Sequence, residues 1–134
     1  MTLYDLYRIA DDNQIDVDYF PLSSLTSVAT PDSIAMDVDK LESLQEEKAV
    51  LGHELGHCMT GSFYRADSGL ETRGRMEARA NRWAYEKLLP WEDIKEAISS
   101  GITEPWALSE HFELPQWFLT RALDYYLNTC GLTL

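Results

Sequence analysis

The stretch "AVLGHELGHCMTG", residues 49 to 61, places His53 and His57 four positions apart in an otherwise apolar segment, with Glu54 between them. Four residues make slightly more than one turn of an α-helix, so the two imidazoles project side by side, about 6 Å apart at their Cβ atoms. Two neutral imidazoles at that spacing can hold one zinc ion, and Glu54, rotated to the flank, can accept a proton from the attacking water. This H-E-x-x-H arrangement predicts a helix that carries a catalytic metal site.

The same three residues have a simpler interpretation, in which two core histidines bond to the backbone beside an incidental acid. The residues around them are apolar on both sides of the helix, which indicates that this part of the helix lies between two layers. Burying two imidazoles and a glutamate there without a partner costs several kcal/mol. A bound metal ion removes that cost, so the sequence favours the metal site.

A third metal ligand is expected, because catalytic zinc usually takes three protein ligands and leaves one position to water. Among the acids after the motif, Glu77 alone combines a helical position, a partly apolar stripe and an asparagine, Asn81, one turn later that can hydrogen-bond a ligand. Glu71 is the reserve candidate. The simpler interpretation of Glu77 is a solvated acid in the first turn of a helix. We expect one Zn²⁺ per chain.

If the metal-activated water attacks a carbonyl group, the site also needs a hydrogen-bond donor for the oxyanion of the tetrahedral intermediate. Four residues of suitable chemistry are Tyr64, Arg65, Tyr85 and His111. The sequence does not choose between them.

Periodicity along the chain predicts an α+β fold, in which a small, mostly antiparallel three-stranded sheet packs against a helical bundle that carries the HExxH helix. Alternating apolar residues predict strands over residues 15 to 20, 25 to 29 and 34 to 38, the last two joined by a turn at Pro31 and Asp32. Thr2 and Asp5 form a capping pair for a first helix. The predicted helices cover residues 2 to 10, 39 to 59, 72 to 89, 90 to 100, 104 to 111 and 115 to 131.

The length of 134 residues suits a single domain, with residues 100 to 134 as its helical C-terminal part. No apolar run reaches the roughly 18 residues of a membrane span, and the start of the chain lacks a secretory signal, so we expect a cytoplasmic protein. Cys58 and Cys130 are too few for a disulfide framework and are expected to be reduced thiols, with Cys58 packed in the core.

The formal charge is −12, from 11 basic and 23 acidic residues, so a phosphate backbone would be repelled and direct nucleic-acid binding is not expected. The simpler interpretation of this charge is an ordinary acidic surface. The last two helices could be mistaken for a DNA-reading helix-turn-helix. The second of them offers Arg121 as its one cation and also carries Asp124, which favours a packing role.

"HELGH" followed by "EARANRWAYEKLLP" resembles the ImmA/IrrE family of metallopeptidases, whose pattern is HELGH and then, after a connector, E-x-x-A-N-x-F-A-x-x-L-L-x-P. The resemblance covers about residues 13 to 90, with Trp83 where phenylalanine is usual. Residues 100 to 134 match only in being helical, and no appended DNA-binding domain is apparent. The resemblance assigns the zinc ligands to His53, His57 and Glu77 and the general base to Glu54.

The resemblance implies a cytoplasmic zinc endopeptidase, often encoded by phages, mobile elements or stress loci, that cleaves a helix-turn-helix repressor. Such a repressor is a basic DNA-binding protein, which also suits the acidic charge of this chain. One alternative is a zinc-containing binding module or antirepressor with little or no turnover. Another is a free-standing hydrolase of peptides or small molecules. The intact Glu54 and an apparent open fourth coordination position favour an enzyme, because a structural zinc site normally closes with four protein ligands.

Overall fold

Six α-helices and three short β-strands make up the fold, and the computed structural model describes all residues from 1 to 134. The helices are α1 (Leu3–Asp12), α2 (Leu44–Thr60), α3 (Leu70–Leu88), α4 (Trp91–Ser99), α5 (Pro105–Phe112) and α6 (Gln116–Asp124). The strands are β1 (Asp16–Tyr19), β2 (Ser27–Thr30) and β3 (Ser33–Met36). The predicted α+β class is therefore confirmed. None of these helices combines the length and the apolar character that a membrane span requires.

The helix α1 begins with the capping pair that the sequence predicted. The Asp5 backbone N–H donates to Thr2 Oγ1 over 3.1 Å, and the Thr2 backbone N–H donates to Asp5 Oδ2 over 2.7 Å. These two bonds satisfy donors that have no partner within the helix. Leu6 and Ala10, one turn apart, are buried in the core.

The sheet has the strand order β1-β3-β2. β2 and β3 form an antiparallel hairpin in which Thr30 pairs with Ser33, as the predicted turn required. β1 pairs with β3 in parallel, so the sheet is mixed, whereas the sequence predicted a mostly antiparallel one. The reason is the connection after β1, which carries the chain past β3 to its far edge before the hairpin reverses it. β1 and β3 therefore run in the same direction.

The long helix α2 begins at Leu44 and not at residue 39. Ser43 is its N-cap, and its hydroxyl accepts the backbone N–H of Glu46 over 3.1 Å. The preceding residues Val38–Lys40 form a separate 3₁₀ turn, because the Asp37 side chain caps it by accepting the Asp39 N–H. α2 ends at Gly61, whose φ of 65° is the left-handed conformation that glycine adopts readily.

A single cluster of 19 buried apolar residues joins the helices to the sheet. The C-terminal helices contribute to it through buried residues of α5 and α6, which include Leu108, Phe118, Leu119 and Ala122. These helices therefore have the packing role that the sequence favoured over DNA reading. Cys58 is half-buried, and its thiol donates to the Thr30 carbonyl over 3.2 Å, so it packs against β2.

The helices α2 and α3 approach each other closely at two glycines of α2. A Cβ atom at Gly56 would collide with the backbone carbonyl oxygen of Ala80, and one at Gly52 would lie 2.5 Å from Leu88 Cδ1. The absence of side chains at these positions therefore sets the separation of the two helices. That separation fixes how far the α2 histidines lie from side chains on α3.

Gly56→Ala is expected to destabilise the fold by about 1–3 kcal/mol, because the colliding atom belongs to the backbone and cannot rotate away. Gly74→Ala is the matched control, since a Cβ atom at this helical position meets nothing within 4 Å. That variant should be more stable by about 0.5–1 kcal/mol, the usual gain for alanine over glycine inside a helix. Urea unfolding of both variants with a metal chelator present would measure the effects. A Gly56→Ala protein as stable as the wild type would contradict the close-packing argument.

Candidate metal centre

The close packing of α2 and α3 brings together the three ligands that the sequence predicted. His53 Nε2 lies 3.2 Å from His57 Nε2, and Glu77 reaches the pair from α3. Glu77 Oε2 lies 2.9 Å from His53 Nε2, and Glu77 Oε1 lies 3.3 Å from His57 Nε2. We call these three side chains the ligand group.

The other ring nitrogen of each histidine is held by a hydrogen bond. His57 Nδ1 lies 2.5 Å from the Ser62 backbone carbonyl, which can only accept, so this nitrogen must carry the proton. His53 Nδ1 lies 2.7 Å from Asn81 Oδ1 and donates to it in the same way. In the neutral rings, both Nε2 atoms therefore present lone pairs to each other and to the carboxylate.

This donor set fits a metal ion. Two imidazole lone pairs and a carboxylate that face one another at 2.9 to 3.3 Å repel unless a cation lies between them. Nitrogen and oxygen ligands about 2.0–2.1 Å from a tetrahedral zinc ion lie about 3.3 Å from one another, close to the observed separations. In other metalloproteins, the same kind of hydrogen bond from the second ring nitrogen fixes the orientation of metal-binding histidines. His53, His57 and Glu77 therefore form a group that can hold a metal ion.

Glu54 lies beside the ligand group and outside it. Its side chain is buried, with 5% of the residue exposed, and its Oε1 atom lies 3.8 Å from His53 Nε2. Burial raises the pKa of the Glu54 carboxyl, while the positive charge of a protonated His53 or His57 would lower it. Glu54, His57 and Glu77 line a cavity of about 220 Å³, the first cavity, which residues of β2 also line.

Comparison with known families agrees with this geometry. The profile of the IrrE N-terminal-like domain, a peptidase family, matches residues 9–123. The chain belongs to this family. No curated protein and no solved structure matches the chain. The resemblance to the ImmA/IrrE family is confirmed, and membership supports a metallopeptidase-like function. The match extends beyond residues 13 to 90 and includes α5 and most of α6.

In this IrrE N-terminal-like domain, one of the four possible oxyanion donors touches the ligand group. The Tyr64 hydroxyl donates to Glu77 Oε1 over 2.8 Å, and this bond raises the pKa of Tyr64. Tyr85 lines a second cavity, which also contains His53. Arg65 is exposed and pairs with Asp67, and His111 packs on Phe112; neither lines either cavity. The structure therefore does not bring Arg65 and His111 to the site.

The reserve ligand Glu71 is also remote from the ligand group. It is exposed in the first turn of α3, where Glu71 Oε1 lies 3.6 Å from Arg75 Nη1. α3 begins at Leu70, two residues before the predicted start, so Glu71 lies in the helix and not before it. Glu77 thus stands two turns into α3, which places it opposite the histidines.

Several residues of the site were not identified from the sequence. Ser62 orients His57 through its backbone carbonyl, which no side-chain pattern can reveal. Ser27 and Ala29 of β2 line the first cavity, although the sequence showed β2 only as an irregular strand. Gly52 and Gly56 could have been recognised from the sequence, because two glycines four residues apart on a buried helix indicate close approach of another helix.

Proposed function

We propose that this protein is a zinc-dependent endopeptidase that hydrolyses a peptide bond in a protein substrate, specifically a helix-turn-helix transcriptional repressor. The observation that carries the hydrolytic part is the convergence of His53, His57 and Glu77 with Glu54 beside them. When bound, zinc acts as a Lewis acid toward the scissile carbonyl and the attacking water. Three protein ligands leave a position for these reactants, which favours an enzyme over a zinc-stabilised binding module.

The chain's own residues would handle the protons. The Glu54 carboxylate accepts the proton of the attacking water and returns it to the leaving amine. Asn81 and the Ser62 carbonyl hold the imidazoles so that the Nε2 atoms keep facing the reaction centre. The Tyr64 hydroxyl is the nearest of the four candidates to the ligand group, and it would donate to the oxyanion of the tetrahedral intermediate.

The edge strand β2 offers the substrate a backbone to pair with. The Asp37 N–H donates to the Thr26 carbonyl over 2.8 Å, which makes these two residues a hydrogen-bonded pair across the hairpin. Pairing alternates along an antiparallel ladder, so the backbone groups of Ser27 and Ala29 point to the open edge, where both residues line the first cavity. An extended peptide can add there as a further strand. This mode of binding suits a segment of a protein substrate.

The repressor part of the proposal is supported by family membership and by the charge of −12, which complements a cationic DNA-binding face. We expect the zinc-loaded protein to cut a basic helix-turn-helix repressor encoded next to its own gene into two fragments. Operator DNA should slow the cleavage, because it covers the basic face, and added salt should slow the encounter. Gel electrophoresis and mass spectrometry of the fragments would measure this.

The controls separate the alternatives. Glu54→Gln should bind the repressor without cutting it. Release of the repressor from its operator by Glu54→Gln as well as by wild type, without fragments, would show the binding module instead. Fragments of unrelated short peptides but an intact repressor would show a free-standing peptide hydrolase.

A further inference from the structure

A second cavity lies on the His53 side of the ligand group. Its volume is about 320 Å³, and it is bounded by α2, α3 and the C-terminal helix α6. Ser27 and Glu77 line this cavity as well as the first one, so the two cavities meet at the ligand group. A peptide whose scissile bond lies there would place one neighbouring side chain in each cavity.

The walls of the second cavity combine aromatic rings with one cation. Tyr85, Trp117 and Phe118 contribute the rings, and Arg121 contributes the cation, with its Cζ atom 4.9 Å from the centre of the Trp117 ring. The only acid in the lining is Glu77, which belongs to the ligand group. Apart from this proposed metal ligand, the second cavity has no acid to receive a basic side chain.

The guanidinium of Arg121 has no ion-pair partner within 4.0 Å, although the chain has 23 acidic and only 11 basic residues. The nearby Asp124 accepts a hydrogen bond from Asn128 instead. Arg121 is exposed and stacked, so its five donors remain available to a ligand. An occupant without an acceptor would cover this charge and leave it unpaired, which costs free energy.

We propose that the second cavity is a specificity site for the substrate residue next to the scissile bond, and that it prefers glutamate. The methylenes of glutamate would pack against the aromatic rings, and its carboxylate would pair with Arg121. This inference rests on the proposed peptidase function, which places the substrate across the ligand group. Arg121 is then a residue that sets substrate preference, and it takes no part in the proton transfers.

Cleavage of a peptide mixture tests the preference directly. The zinc-loaded protein is incubated with a chymotryptic digest of a bacterial proteome, whose peptides keep glutamate, lysine and arginine at internal positions, and the cut sites are identified by mass spectrometry. We expect about two- to fivefold enrichment of glutamate at one position beside the cut, the size of effect that an exposed ion pair gives. Arg121→Glu should abolish this enrichment and favour lysine or arginine at the same position. Arg8→Glu, an equal change of charge at an exposed position on α1, should keep the wild-type preference.

A binding measurement distinguishes failure of this inference from failure of the peptidase function. The probes are two blocked tripeptides, acetyl-Ala-Glu-Ala-amide and its glutamine counterpart, added to the zinc-loaded Glu54→Gln protein. The glutamate peptide should shift the NMR signals of the Trp117 indole and the Arg121 Nε–H group, and the glutamine peptide should shift them much less. In Arg121→Gln protein the two peptides should behave alike.

Each outcome has a defined meaning. If the glutamate peptide shifts the NMR signals but the digest is not cleaved, the second cavity binds a carboxylate and the peptidase function is overturned. Cleavage without glutamate enrichment, unchanged in Arg121→Glu, would keep the peptidase function and overturn the proposed preference. Equal shifts with both peptides would also overturn it.

Discussion

The Glu54→Gln protein is expected to keep its metal and its fold while losing peptide hydrolysis by about 100- to 10,000-fold, the usual contribution of a general base. The amide has nearly the same shape as the carboxylate but cannot accept the proton of the attacking water. Glu54 lies outside the ligand group, so its replacement leaves all three ligands in place. The rate of repressor cleavage and the zinc content of the same sample would measure both effects.

Glu71→Gln is the matched control for this variant, because it makes the same chemical change at an exposed helical position that faces Arg75. It should retain wild-type activity and zinc content. Substantial hydrolysis by Glu54→Gln would assign the general base to another residue. Loss of zinc from Glu54→Gln would instead indicate that Glu54 helps to hold the metal.

Replacing any one of the three ligands should reduce the zinc content from about one ion per chain to nearly none, because two remaining ligands are too few for a catalytic zinc site. The variants are His53→Ala, His57→Ala and Glu77→Ala, and elemental analysis after dialysis against a weak chelator would measure the content. Asn81→Ala should retain the ligands but bind zinc about 10- to 100-fold more weakly, since His53 Nδ1 loses its acceptor.

Glu71→Ala serves as the control for the Glu77 assignment, because Glu71 was the other acid of α3 considered as a ligand. It should bind zinc like the wild type. If Glu77→Ala and wild type held equal amounts of zinc, the third ligand would have to be a different residue. If Glu71→Ala lost the metal, α3 would have to be positioned differently from the present structure.

Much of the centre was predictable because it depends on local spacing. His53 and His57 are four residues apart on one helix, and helical geometry alone makes them neighbours. Glu77 and Asn81 have the same four-residue spacing on the next long helix. The sequence therefore identified Glu77 as the third ligand, and Asn81 as a hydrogen-bond partner of a ligand, without knowledge of the packing. Capping also acts locally, which is why the pair Thr2 and Asp5 was read correctly.

Two predictions were wrong, one on the start of α2 and one on the direction of β1 relative to β3. Apolar periodicity continued through residues 39 to 43, but the Ser43 cap starts α2 later than the periodicity indicated. The strands β1 and β3 were each recognised, yet their parallel pairing depends on the path of the connection between them. Alternation of side chains is the same in parallel and antiparallel strands, so it carries no information on direction.

The sequence by itself determined the helix that carries the motif, the three candidate ligands and the α+β class. Only the tertiary structure decided that the Ser62 carbonyl orients His57, that Tyr64 and not Arg65 or His111 reaches the ligand group, and that Arg121 lines a cavity beside His53. The physical reason is that these contacts join side chains to backbone atoms or to remote helices. Their geometry is set by close packing, such as the contact of Gly56 with Ala80, and packing is a property of the whole fold.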